Sequence, residues 1–300
     1  MTQRTEHGMG LAAALTAFAI WGFLPLYYHL IGTRVSVWEV LSHRIVWATV
    51  VLVAYVVIRG RVSRLRAVFG KPAVLRALAA SGVCIGLNWV VFIWAVTHGH
   101  VLETSLGYYI TPLLNVVMGL IFLGERMRPL QWLAVALAAL GVAIMMGSFG
   151  TIPWVALTLA IAFGFYGLIR KQVEVDSITG LLIETLLLLP VALVLIAWFY
   201  AHHTLTFLHT SVTMDLLLVG AGVITVVPLV LFATGARRLR LGTIGLLQYV
   251  APTIQFLTGV YFFSEPFTRV DGITFACIWS GLALYSIDAL RFNSRRTPNA

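Results

Sequence analysis

The chain has 300 residues, 60% of them hydrophobic and 10% charged, with 20 Lys and Arg against 11 Asp and Glu and a formal net charge of +9. Soluble domains hold roughly 45–50% apolar and about 25% charged residues. A water-soluble globule is therefore excluded, because so few charges cannot cover so much apolar surface, and lipid is the expected solvent.

Ten apolar runs follow in chain order, at residues 9–31, 36–58, 75–97, 101–123, 129–147, 152–170, 178–200, 214–235, 242–263 and 269–290. Each is close to the ~20 residues that span hydrocarbon. Their uniform hydropathy reads as helix, since a transmembrane barrel alternates in segments of about ten residues. The first run is too long for a leader core and lacks a clear small-residue cleavage site, so it reads as a membrane helix; it carries Trp21 and Pro25. The second carries Glu39, His43 and Arg44. Counted from Ser36, Arg44 lies about 12 Å into a core of roughly 30 Å. Two readings stay open: an anion contact or proton relay built from His43 and Arg44, or a polar cluster locking this helix to a neighbour.

Arg59 to Leu75, the longest polar interruption, reads as a loop. The third run supplies Asn88 and Trp89, the fourth Tyr108, Tyr109 and Pro112, and the sixth Tyr166. Glu103 near the start of the fourth reads as a helix N-terminal charge. Glu184 in the seventh run is a second proton-site candidate, with partnership to an arginine the plainer reading; Pro190 follows it. His202, His203 and His209 share one loop, which is weak ground for a metal. The eighth run supplies Thr225 and Pro228, the ninth Gln248, Tyr249 and Pro252. Aromatic and amide side chains of this kind suit a pocket for a small solute that is apolar or aromatic with a few polar groups. Pro112, Pro228 and Pro252 are expected hinges, because each removes a backbone hydrogen bond and frees the carbonyl four residues earlier. Cys84 and Cys277 read as small core residues.

Two segments repeat. Tyr108 to Glu125 reads YYITPLLNVVMGLIFLGE, and Gln248 to Glu265 reads QYVAPTIQFLTGVYFFSE. Tyr, Pro, Gly, Phe and Glu recur at a constant offset of 140, and the phase continues to Gly141 and Gly281. A shift near half the chain implies a duplicated half-molecule. Each half holds five runs, an odd number, so the second half enters the membrane inverted. Two halves of similar fold and opposite orientation suit alternating access.

Placing the N-terminus in the cytoplasm puts 17 of the 20 Lys and Arg inside. The positive-inside rule thereby accounts for the basic balance without nucleic acid, and both termini are expected in the cytoplasm.

Asn88 to Glu125, NWVVFIWAVTHGHVLETSLGYYITPLLNVVMGLIFLGE, resembles the signature of the RarD-type EamA permeases of the drug/metabolite transporter superfamily. Val223 to Phe256 resembles its second-half counterpart, and EVLSHRIVW (Glu39 to Trp47) its second helix. The resemblance implies an all-α integral membrane fold of ten transmembrane helices in two inverted five-helix repeats, residues 1–148 and 149–300. It also implies a central cavity lined mainly by helices 1, 3, 4, 6, 8 and 9. The expected activity is secondary transport, exporting metabolites, amino acids or drug-like amphipathic solutes across the bacterial inner membrane, driven by a proton or solute gradient. Substrate contacts are expected at Trp21, Asn88, Trp89, Tyr108, Tyr109, Tyr166, Thr225, Gln248 and Tyr249; coupling candidates are Glu39, His43, Arg44 and Glu184. No HExxH, metal-spaced Cys/His set or P-loop lysine motif occurs, so the expectation is no catalysis, no metal and no cofactor. The expected partners are a small-molecule substrate and membrane lipid, with no nucleic acid, in a monomer or weak homodimer. The alternatives are an integral-membrane enzyme, which needs convergent acid, base or metal groups, and a sensor, which would normally append a soluble output domain.

Overall fold

A computed structural model describes residues 3–124, 127–148, 152–239, 247–264 and 266–294, and among these it contains helices and turns but no strand. The helices are α1 (Gln3–Ile31), α2 (Val37–Ile58), α3 (Val62–Phe69), α4 (Pro72–Thr97), α5 (Val101–Leu123), α6 (Pro129–Ser148), α7 (Trp154–Gln172), α8 (Ser177–Ala201), α9 (Val212–Arg238), α10 (Val250–Tyr261) and α11 (Arg269–Ser294). Among the described residues eight helices, α1, α2 and α4 to α9, are long and apolar enough to cross a membrane. The repeated Glu125 and Glu265, and the basic residue Arg126, lie outside the described residues.

Two expectations need correction. The segment from Arg59 to Leu75 is not all loop, because Val62–Phe69 forms α3. Its apolar residues recur at helical spacing, so Val68 is buried with Leu78 and Ile183 while Leu65 packs beside them. Arg64 and Arg66 stay exposed. The ninth run is not a continuous helix either. Gln248 and Tyr249 form a turn before α10, whose 12 residues are about 18 Å long; residues 240–246, which include the start of this run, lie outside the described residues. Pro252 lies in its first turn, where the missing N–H would have had no intrahelical partner. Pro252 therefore costs no interior bond, whereas Pro112 and Pro228 lie inside α5 and α9.

Helix association in lipid relies on close packing at small residues, since tails are as apolar as the helices. The crossing of α6 and α11 shows this at the repeated glycines. A methyl group on Gly141 would meet the Thr274 carbonyl oxygen at 2.8 Å, and one on Gly281 the Ala134 carbonyl oxygen at 2.5 Å. The other main pairs are α5 with α10, α2 with α8, α1 with α9, α4 with α7, α5 with α7, α1 with α10, α2 with α9 and α4 with α8. Exchange α1, α2, α4, α5, α6 in order with α7, α8, α9, α10, α11, and each pair becomes itself or another of the set.

The seam between α5 and α10 is the most specific of these contacts. The Tyr109 hydroxyl is 2.9 Å from Thr253 Oγ1, and the Ser105 hydroxyl donates to the Pro252 carbonyl at 2.9 Å. The Tyr109 ring stacks on Tyr249 at 6.0 Å and meets Phe275 of α11 edge-on at 5.3 Å.

Two stability measurements follow from this packing, both by thermal unfolding in detergent. Gly281→Ala is expected to lower the melting temperature through overpacking of about 1–3 kcal/mol, while Gly147→Ala, whose methyl meets nothing within 4 Å, leaves it unchanged. Equal melting of the two variants contradicts the crossing. Tyr109→Ala is expected to cost roughly 3–5 kcal/mol, as for loss of a buried ring, and Tyr109→Phe only about 1 kcal/mol for the hydroxyl contact.

Candidate functional site

Where α1, α2, α4, α5, α7, α9 and the start of α10 converge, they leave a cavity of about 630 Å³, counting the open space at its mouth. Phe18, Trp21 and Leu24 of α1, Ile85, Asn88, Trp89 and Phe92 of α4, Tyr108 of α5, Phe163 of α7 and Leu229 of α9 line it. Gln248, Ala251, Pro252 and Gln255 complete the wall at the start of α10, and Arg44 enters from α2. Trp21 is held by rings, 5.6 Å from both Phe18 and Phe232. Phe92 and Tyr108 face each other at 5.9 Å, with Phe163 edge-on to Tyr108 at 6.2 Å.

The polar groups in this wall are tied to the helices around it. Asn88 Nδ2 donates to the Leu159 carbonyl at 3.1 Å, joining α4 to α7, and its Oδ1 accepts from the Tyr108 hydroxyl at 3.3 Å. Gln255 Nε2 donates to the Trp21 carbonyl at 3.1 Å, joining α10 to α1. Arg44 is 3% exposed. Its Nη1 donates to the Tyr28 hydroxyl at 2.6 Å, and its guanidinium lies 4.3 Å from the Trp89 ring centre.

Helical geometry separates Arg44 from its sequence neighbours. One residue is about 100° of turn, so Arg44 faces the cavity while His43 and Glu39 share another side. There the Thr206 and Phe207 N–H groups donate to Glu39 Oε1 at 2.8 and 3.1 Å. His43 packs its ring on Phe207 at 4.6 Å, with Nε2 4.0 Å from Glu39. This cluster tethers α2 to the α8–α9 connection, as in the polar-cluster reading, while Arg44 stands apart from it in the cavity wall.

Glu184 is also away from the cavity. Its Oε1 accepts from the Ser81 hydroxyl at 2.5 Å and lies 3.6 Å from Arg170 Nε. Gly180 makes the room: a methyl there would stand 1.7 Å from Arg170 Nη1. Glu103 pairs with His100 Nδ1 at 3.0 Å at the start of α5.

Of the expected substrate contacts, Trp21, Asn88, Trp89, Tyr108 and Gln248 line the cavity. Tyr109, Tyr249, Tyr166 and Thr225 do not. Tyr109 and Tyr249 pack in the α5–α10 seam. Tyr166 is buried against Phe163 at 5.9 Å, and the Thr225 hydroxyl bonds back to Ala221 of its own helix. Gln255 was absent from the expected contacts, although Gln248, Ala251, Pro252 and Gln255 form an i, i+3, i+4, i+7 face.

Comparison with known proteins agrees with this architecture. The EamA-like transporter family matches residues 8–147. An uncharacterized transporter of Vibrio cholerae is 45% identical over 94% of this chain and 93% of its own. The protein RarD of Escherichia coli K12 is 45% identical over 96% of this chain and 97% of its own. A chloramphenicol-sensitive protein RarD of Pseudomonas aeruginosa is 34% identical over 95% of each. One solved crystal structure, 20% identical, superposes with a TM-score of 0.65 over 94% of this chain and 98% of that one, which bears on the fold alone. The chain belongs to the EamA-like transporter family and is a RarD-type, multi-pass membrane permease of the drug/metabolite transporter superfamily.

Proposed function

We propose that this permease exports small amphipathic solutes across the bacterial inner membrane by alternating access of two inverted five-helix halves, residues 1–148 and 149–300. The carrying observation is the cavity at the meeting of α1, α4, α5, α7, α9 and α10, walled by aromatic rings and a few polar groups. The symmetric pairing of helices supports the two-half reading, as does the 140-residue repeat. Trp21, Asn88, Trp89, Tyr108 and Gln248 bind the solute. Pro112 and Pro228, inside their helices, and Pro252, at the start of α10, are the points where helices bend between states. Both termini lie in the cytoplasm, with the basic connections α2–α4 and α7–α8. The protein works as a monomer or weak homodimer with lipid around it, and needs no nucleotide.

Flux tests this reading directly. Proteoliposomes loaded with amino acids, aromatic metabolites and amphenicols, with and without a pH gradient, are expected to release at least one class faster than protein-free liposomes. No release of any class ends the transporter reading for these solutes. Orientation is tested by cysteine accessibility at two exposed sites: Thr204→Cys is expected to label from outside and Ser63→Cys only from the cytoplasm. The reverse pattern overturns both the orientation and the inversion of the halves.

A further inference from the structure

Arg44 is a cation in the cavity wall without an acid. Among the described residues no carboxylate lies within ion-pair distance of its guanidinium, and its Nε is buried with no hydrogen-bond partner. The partners it has are a phenol and an indole face. These orient the fork of the guanidinium and leave its charge uncompensated. An arginine fork matches a carboxylate with two parallel bonds, and a buried cation in hydrocarbon calls for such a partner.

Two other observations point to the same ligand. The first turn of α10 lies at the cavity through Ala251 and Pro252, and a helix N-terminus carries partial positive charge that favours an anion. Gln255, 1% exposed, leaves its Oε1 without a partner in the same wall, which calls for an N–H or O–H donor. The lining contains no Asp, Glu, His or Lys among the described residues. One positive charge balances one negative charge, so a monoanion fits and a dianion leaves excess charge buried. Among the described residues the lining also holds no titratable carboxylate or imidazole to carry a proton alongside the solute.

We infer that the transported solute is a monoanion, a carboxylate on an aromatic or apolar body with one neutral hydrogen-bond donor, that it is held by Arg44, and that it crosses as net charge under the membrane potential without a coupled proton. This rests on the transport reading above and specifies its cargo and its driving force. An interior-negative membrane pushes such an anion outward, which gives export without a second ion. At 100 mV a monovalent anion distributes about 50-fold at equilibrium.

The probe is N-acetyl-L-phenylalanine, compared with its neutral amide and with zwitterionic phenylalanine, in proteoliposomes of zwitterionic lipid under valinomycin-set potassium potentials. Efflux of the carboxylate is expected to exceed that of the amide and of phenylalanine by tenfold or more, and to speed up when the interior is made negative. A proton-linked, electroneutral mode would respond to a pH gradient and ignore the potential, which overturns the inference. Equal movement of the carboxylate and the amide overturns it as well, while the transport reading stands. Failure of every solute, here and in the wider flux panel, removes both. Arg44→Gln is expected to weaken carboxylate-dependent thermal stabilisation of the purified protein by tenfold or more in concentration, with Arg44→Lys intermediate. If Arg44→Gln does not give folded protein, the carboxylate-versus-amide comparison on the wild-type chain still decides.

Discussion

The bilayer core offers no water to backbone N–H and C=O groups, so each must find its partner within the protein. This constraint dictates helices for the apolar runs, and it makes their association depend on how near two backbones can come. Gly141 and Gly281 let α6 and α11 touch almost carbonyl to carbon, and Gly107 does the same for α5 against Ala156. The constraint relaxes only where backbone lines a cavity. That is where the turn at Gln248 meets the cavity and α10 begins.

Charged side chains meet the same constraint in three ways. Glu39 accepts from two amides of the α8–α9 connection, and Glu184 is closed off by Ser81 and Arg170. The first ties α2 to a connection and the second ties α8 to α4 and α7, and both face away from the cavity. Arg44 differs. Insertion of an arginine at depth costs about 2.5–3.5 kcal/mol, and a desolvated cation–π contact returns about 2 kcal/mol. The indole of Trp89 and the phenol of Tyr28 thus go far towards holding the guanidinium in place, and they do not neutralise it. The fixed clusters keep the scaffold, and the unneutralised one is available to cargo.

Much of this was legible in the sequence because hydropathy reports the helices themselves. The bounds of α2, α5 and α6 fall within a residue of the apolar runs that announced them. The family was legible for a related reason: its signature lies in α4 and α5, two of the helices that wall the cavity. Individual roles were less legible. Tyr109 and Tyr249 stood out through their repeated spacing before a proline, yet repetition marks any position that the two segments share, and the α5–α10 seam is such a position. The split between His43 and Arg44 is a matter of helical phase against neighbours that only the packed structure supplies. Val62–Phe69 was hidden by its arginines, which lower hydropathy while leaving a narrow apolar face intact.

The crossing of α6 with α11 also speaks to origins. On the two-half reading, α6 and α11 are equivalents, as are α5 and α10, and α2 and α8. Each of these helices packs against its own equivalent. Contacts of that kind are isologous, the form taken when two identical chains meet about a twofold axis. An ancestral half-length chain with five spans and little charge bias could have inserted both ways up and dimerised through these faces. Fusion would then have freed the two copies to diverge. Cavity residues such as Arg44 could become one-sided, while Gly141 and Gly281 stayed bound to a single shared fit, in which a change on one side is felt by the other.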